Sequence, residues 1–122
     1  MTTKNNFFTL ESYQNDIDLE TNEDVIVSMY EDIISEDDKL KINFAFVTDT
    51  KHKADFFASK INSSYEQYSN IKINPYDELF EITGETNEIQ MTLDNINNWN
   101  QEMWDFGYLY DCKLDGWHVG KD

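Results

Sequence analysis

The chain has 122 residues, with 25 Asp and Glu against 9 lysines, no arginine and a formal net charge of −16. Nucleic-acid binding needs clustered positive charge, and arginine above all, so this balance argues against DNA or RNA as a direct ligand and for a basic protein partner. One cysteine, Cys112, excludes an internal disulfide and a cysteine-built zinc site, and no apolar run is long enough for a membrane span.

Residues 1–20 are polar and rich in Asn and Asp, and we expect a loosely ordered arm that Phe7 and Phe8 could pin. The opening residues carry no apolar core of a secretory signal, so the expected compartment is the cytoplasm. Residues 21–122 are expected to form one domain. Its first element is a helix over 21–35. Thr21 is the candidate N-cap with Asp24 three residues on, and Val25, Ile26, Met29, Tyr30, Ile33 and Ile34 make one apolar stripe. Residues 39–48 alternate, with Ile42, Phe44 and Phe46 on one face and Asn43, Ala45 and Val47 on the other, which predicts a strand. A helical period follows, capped at Asp49 or Thr50, with Ala54, Phe57, Ala58, Ile61, Tyr65 and Tyr68 sharing a face. Residues 70–85 read as a hairpin turning at Pro75–Glu78, with Ile71 and Ile73 in one arm and Phe80 and Ile82 in the other. The next helix, 91–107, buries Ile96, Trp99, Met103 and Phe106 and ends with Gly107 at the C′ position. Trp104 falls off that stripe, either exposed or packed under the first helix. Tyr108, Tyr110, Cys112 and Leu114 then alternate as a last strand. The order is βαββαβ behind an N-terminal helix. It predicts an α+β, ferredoxin-like split β-α-β fold, a four-stranded antiparallel sheet with two helices on one face.

Candidates for chemistry are few. His52 stands between lysines at a helix start, where an exposed surface role is expected. His118 could join Asp111 and Asp115, which with Lys113 would share one strand face, but no dedicated metal-ligand spacing is present. Cys112 faces the predicted core, where thiols are inert. The glycines, Gly84, Gly107, Gly116 and Gly120, are scattered and form no phosphate loop. Phe44, Phe46 and Phe80 could suggest an RNA-stacking sheet, but without basic neighbours they fit a core under two helices. No cofactor is expected.

The C-terminal "NNWNQEMWDFG" and "YLYDCKLDGW" give the pattern a more specific face. A ferredoxin-like domain ending in a helix, a short strand and Asp-Gly-Trp resembles the regulator of ribonuclease E activity B family. The matching residues are Tyr110, Asp111, Asp115, Gly116 and Trp117, and upstream segments fall in the family's order, so the resemblance spans roughly 21–118. His118 stands where the family commonly has glycine. The resemblance implies a non-enzymatic acidic regulator that binds a basic region of a ribonuclease and so modulates RNA turnover, with the five matching residues as motif or partner contacts. An immunity-type protein neutralising a basic toxin, and an enzyme with a cryptic metal-dependent acidic site, are the alternatives. Within the triplet, Asp115 is expected to turn outward, Gly116 to permit a bend or a close approach, and Trp117 to fold back over the end of the sheet.

Overall fold

The computed structural model describes residues 5–31 and 34–119. Four helices and four strands run in the order α1 (Leu10–Asn15), α2 (Glu20–Glu31), β1 (Lys39–Thr48), α3 (Lys51–Ser64), β2 (Ser69–Tyr76), β3 (Leu79–Gln90), α4 (Leu93–Leu109) and β4 (Lys113–Val119). The sheet order is β2-β3-β1-β4 and every pairing is antiparallel. This is the expected α+β arrangement, with the split β-α-β topology. None of the described helices is long and apolar enough to cross a membrane.

The alternation in β1 makes the sheet two-faced. Ile42, Phe44 and Phe46 are buried toward the helices, with Ile82 beside them on β3. Phe57 and Ile61 of α3 and Ile96, Trp99 and Met103 of α4 close over them. Phe46 meets Phe57 edge-on at 4.7 Å, and Phe44 meets Phe46 at 5.6 Å. These rings are spent on packing and cannot stack on a nucleic acid. Gly84 lies opposite Phe44, where an added Cβ would meet the Phe44 ring at 2.7 Å and Ile71 Cδ1 at 2.5 Å.

Helix starts follow hydroxyl and carboxyl caps. Thr50 accepts from the Lys53 N–H and Thr92 from the Asn95 N–H. At α2 the cap differs from expectation: Asp18 accepts from the Thr21 N–H, so the helix begins before Thr21 rather than after it. Ile33 and Gly120 lie outside the described residues. The hairpin is also tighter than expected. Pro75 and Tyr76 belong to β2, and only Asp77 and Glu78 turn, Asp77 at φ 53°. Pro75 is tolerated because β2 is an edge strand, where a missing N–H breaks no inner ladder.

The main departure is at the C-terminal end of α4. The helix continues through Gly107 to Leu109, so Tyr108 and Tyr110 are not strand residues. Cys112 N–H bonds Gly107 C=O at 2.9 Å, and Asp111 N–H bonds Tyr108 C=O at 3.4 Å. Asp111 stands between at φ 59°. This is a Schellman close, with Asp111, not Gly107, in the left-handed C′ position. Gly107 is needed for another reason. A Cβ there would collide with the Cys112 carbonyl oxygen as the chain doubles back.

The N-terminal segment is not loose where it is described. Phe8 is fully buried, 4.7 Å edge-on from Trp104 and 5.4 Å from Tyr108, and Tyr13 stacks on Tyr108 at 4.3 Å. Trp104 is therefore buried, donating from Nε1 to the Tyr13 carbonyl, and its cover is this segment. Helix α2 adds a polar seam to α4: Asn22 donates to Asn97 at 2.9 Å and to Asn100 at 3.1 Å.

Candidate functional site

The five motif residues fall into two places that share the C-terminal end of the chain. The first is the cap of α4. Asp111 is buried, and its carboxylate accepts from three consecutive backbone N–H groups: Asn6 at 3.0 Å, Phe7 at 3.1 Å, and Phe8. Lys53 Nζ lies 2.6 Å from the same carboxylate and 2.8 Å from Asp49. Burial alone would disfavour the ionised carboxyl, but Lys53 and the N–H groups of Phe8, Asn6 and Phe7 outweigh it and hold its pKa below the usual range. Burial likewise opposes the Lys53 ammonium, yet hydrogen bonds and charge from Asp111 and Asp49 raise its pKa. The left-handed turn aims the carboxylate at the N-terminal segment, so one residue ends α4 and fastens residues 6–8. Beside it, the Tyr110 ring packs against Phe106 at 5.2 Å, Phe56 at 5.7 Å and Phe57 at 5.9 Å.

The second place is β4, and it corrects the expected geometry of Asp-Gly-Trp. The triplet does not follow the strand; it lies inside it. Ala45 pairs with Gly116 and Phe46 with Leu114, so Asp115 is the unopposed residue of a bulge. Asp115 is exposed, as expected. Gly116 makes no close approach: an added Cβ would find no atom within 4 Å, and its φ is not positive. Trp117 does not fold over the sheet end. It stands opposite Phe44, its ring 6.2 Å from Trp99 and near-perpendicular to it, and the strand runs on to Val119.

The triplet borders three concavities. One, of about 650 Å³, lies on the sheet face away from the helices and includes Asn43, Ala45, Thr83, Asp115 and Gly116. The others, about 290 and 450 Å³, lie between β4 and the N-terminal helices, reaching Asp16 and Asn22 in one case and Asp24 and Met29 in the other. Trp117 lines all three.

The residues considered for metal binding are divided between these places. Asp115 and His118 line the sheet-face concavity, whereas Asp111 is occupied at the α4 cap; the expected shared face of Asp111, Lys113 and Asp115 does not form because Asp111 precedes the strand. Among the described residues no three His, Cys, Asp or Glu side chains gather as a metal site. His52 is exposed on α3, and Cys112 is fully buried, its thiol pushed by burial up to about 12. The sequence signals missed the partners of Asp111: Lys53 on α3, and backbone N–H groups that lie more than 100 residues away in the chain. The alternation already places Asn43 and Ala45 on the outward face of β1, where they line the sheet-face concavity.

A comparison with curated proteins finds no match. A comparison with protein families does: the model for regulator of ribonuclease activity B matches residues 19–119, from just before α2 to the end of β4. With a match over most of its length, and with the Asp-Gly-Trp strand and the α4 cap inside it, the chain belongs to the family of regulators of ribonuclease activity B.

Proposed function

We propose that this protein is a cytoplasmic, non-enzymatic regulator that binds a basic region of a ribonuclease and slows its action on RNA. The observation that carries the basic partner is the charge: −16 with no arginine, in a member of a family of ribonuclease-activity regulators. Such a surface attracts a cationic protein segment and repels the phosphate backbone, so regulation proceeds through the enzyme rather than its substrate. A buried thiol with a raised pKa and a fully engaged Asp111 offer no ready nucleophile or base, which favours binding over catalysis. The motif residues Asp115, Gly116 and Trp117, on a concave surface, are the proposed contacts. Tyr110 and Asp111 are engaged inside the fold, in the aromatic cluster of α3 and α4 and in the α4 cap.

The test is a fluorogenic RNA cleavage assay with a ribonuclease E-type enzyme that carries its basic region. Added protein should slow cleavage saturably, and the inhibition should disappear when the basic region is removed. A gel-shift with the RNA alone should show no complex. Undiminished cleavage at saturating protein, or tight binding to the RNA itself, would sink this function.

A further inference from the structure

We propose that the basic partner docks on the open face of the sheet and places an arginine side chain over Ala45 and Gly116. This rests on the reading that the partner is a basic protein. The register lays a row across all four strands: Lys72 opposite Thr83, Thr83 opposite Ala45, Ala45 opposite Gly116. On β1 and β4 this row has only a methyl group and a hydrogen as side chains, so it forms the floor of the 650 Å³ concavity. Glu81 and Glu85 lie two positions either side of Thr83 on β3, about 13 Å apart along the strand. Asp115 bulges out at the β4 edge of the same floor.

Gly116 is the telling residue. Its backbone conformation is open to any amino acid, and nothing in the chain occupies the space a Cβ would take. Glycine there serves neither the turn nor the packing of this chain. It keeps the floor bare, and only something arriving from outside benefits. The charge says what arrives. Three carboxylates border the concavity against Lys72 at its β2 end and His118, and among the described residues none of Glu81, Glu85 and Asp115 is in an ion pair. Glu85 is already oriented, accepting from Asn70 Nδ2 at 2.6 Å. An arginine stem can lie flat on the Ala45–Gly116 floor while its guanidinium forks onto a carboxylate, with the Asn43 amide and Thr83 hydroxyl as further acceptors. Lys72 repels a cation from the β2 edge, so the guanidinium belongs over the β3, β1 and β4 part of the floor, which Glu81, Glu85 and Asp115 line.

The experiment is an amide NMR titration of the full chain with an arginine decamer at low salt, with a glutamate decamer as control. The expected shifts concentrate at Asn43, Ala45, Thr83, Gly116 and His118. G116L fills the floor and should weaken binding about tenfold or more, with the melting temperature unchanged. The double variant E81Q/E85Q, which adds no bulk, should weaken it comparably, and E23K on α2 should still show shifts at the same sheet-face amides. Shifts spread over the whole acidic surface or centred on α2, or wild-type affinity in both G116L and E81Q/E85Q, would overturn the docking site and leave a basic partner standing. No binding of the arginine decamer at all would overturn the basic partner and the docking site together.

Discussion

Asp111 concentrates more of the fold in one side chain than any neighbour. A non-glycine residue at φ 59° sits in a conformation that L side chains seldom adopt, and here the strain is held by what the carboxylate gains. It gains three backbone N–H donors and an ammonium. Replacing it with asparagine keeps the size and removes the charge, leaving Lys53 with Asp49 alone. Hydrogen bonds to charged groups are worth about 1.5–3 kcal/mol, so D111N should cost roughly 2 kcal/mol in urea unfolding at neutral pH. Because the folded carboxyl has a depressed pKa, its contribution is complete above the unfolded value of about 3.9 and disappears as the pH falls through the folded one. Wild type should therefore lose more stability than D111N on acidification below about pH 4, and the two curves should converge. Parallel curves would mean that the carboxylate is not ionised in its pocket. Nothing local in "YDCKL" announces this. The signal is a tertiary one, and the "NFF" that supplies the donors belongs to a stretch that reads as a loosely ordered arm until it is placed.

At the scale of elements, neither Gly107 nor Gly116 has the role its sequence position suggests. Gly107 looks like a helix stop and Gly116 like a tight bend. In the structure Gly107 is inside α4, and Gly116 is in ordinary extended strand. Alanine in a helix interior is normally about 1 kcal/mol better than glycine. At 107 the Cβ would meet the Cys112 carbonyl oxygen and press on the Phe46 ring, backbone and core that cannot yield cheaply. G107A should therefore destabilise by about 2 kcal/mol or more despite its better propensity. G116A should stay within about 0.5 kcal/mol of wild type, as a substitution into open space does. Thermal melts of both variants decide it, and equal losses would refute the assignment. The false strand at Tyr108–Tyr110 has the same origin. Tyr108 turns to Phe8 and Tyr13, and Tyr110 to Phe56 and Phe106, so two opposite helix sides carry aromatic rings. A pattern two residues apart then imitates a strand. Where one partner layer covered each element, as for Ile42, Phe44 and Phe46 under α3 and α4, the period told the truth.

For the molecule as a whole, the βαββαβ order was legible because each core element carries its own period, whereas the docking of the N-terminal segment rests on contacts that no local window contains. Charge acts at this largest scale. The net charge of −16 is spread over a small domain, and the described ion pairs of Lys51 and Lys113 are exposed or half-exposed. Such pairs are worth little, so the balance of surface electrostatics is carboxylate repulsion. Salt at 0.1 M shortens the reach of that repulsion to about 10 Å and should stabilise the fold. The melting temperature should rise with sodium chloride, by roughly 4 °C for each kcal/mol relieved in a domain of this size. The Lys53–Asp111 pair opposes this only weakly, because Asp111 is buried and screened less than a surface charge. Wild type and D111N should therefore respond to salt with nearly the same slope. A melting temperature that falls as salt is added would show that attractive pairs, not repulsion, dominate this surface. Association with a basic partner must move the other way, since the field that strains the fold is the one that draws the partner in. One salt titration, read once by melting and once by the arginine-decamer affinity, should give slopes of opposite sign.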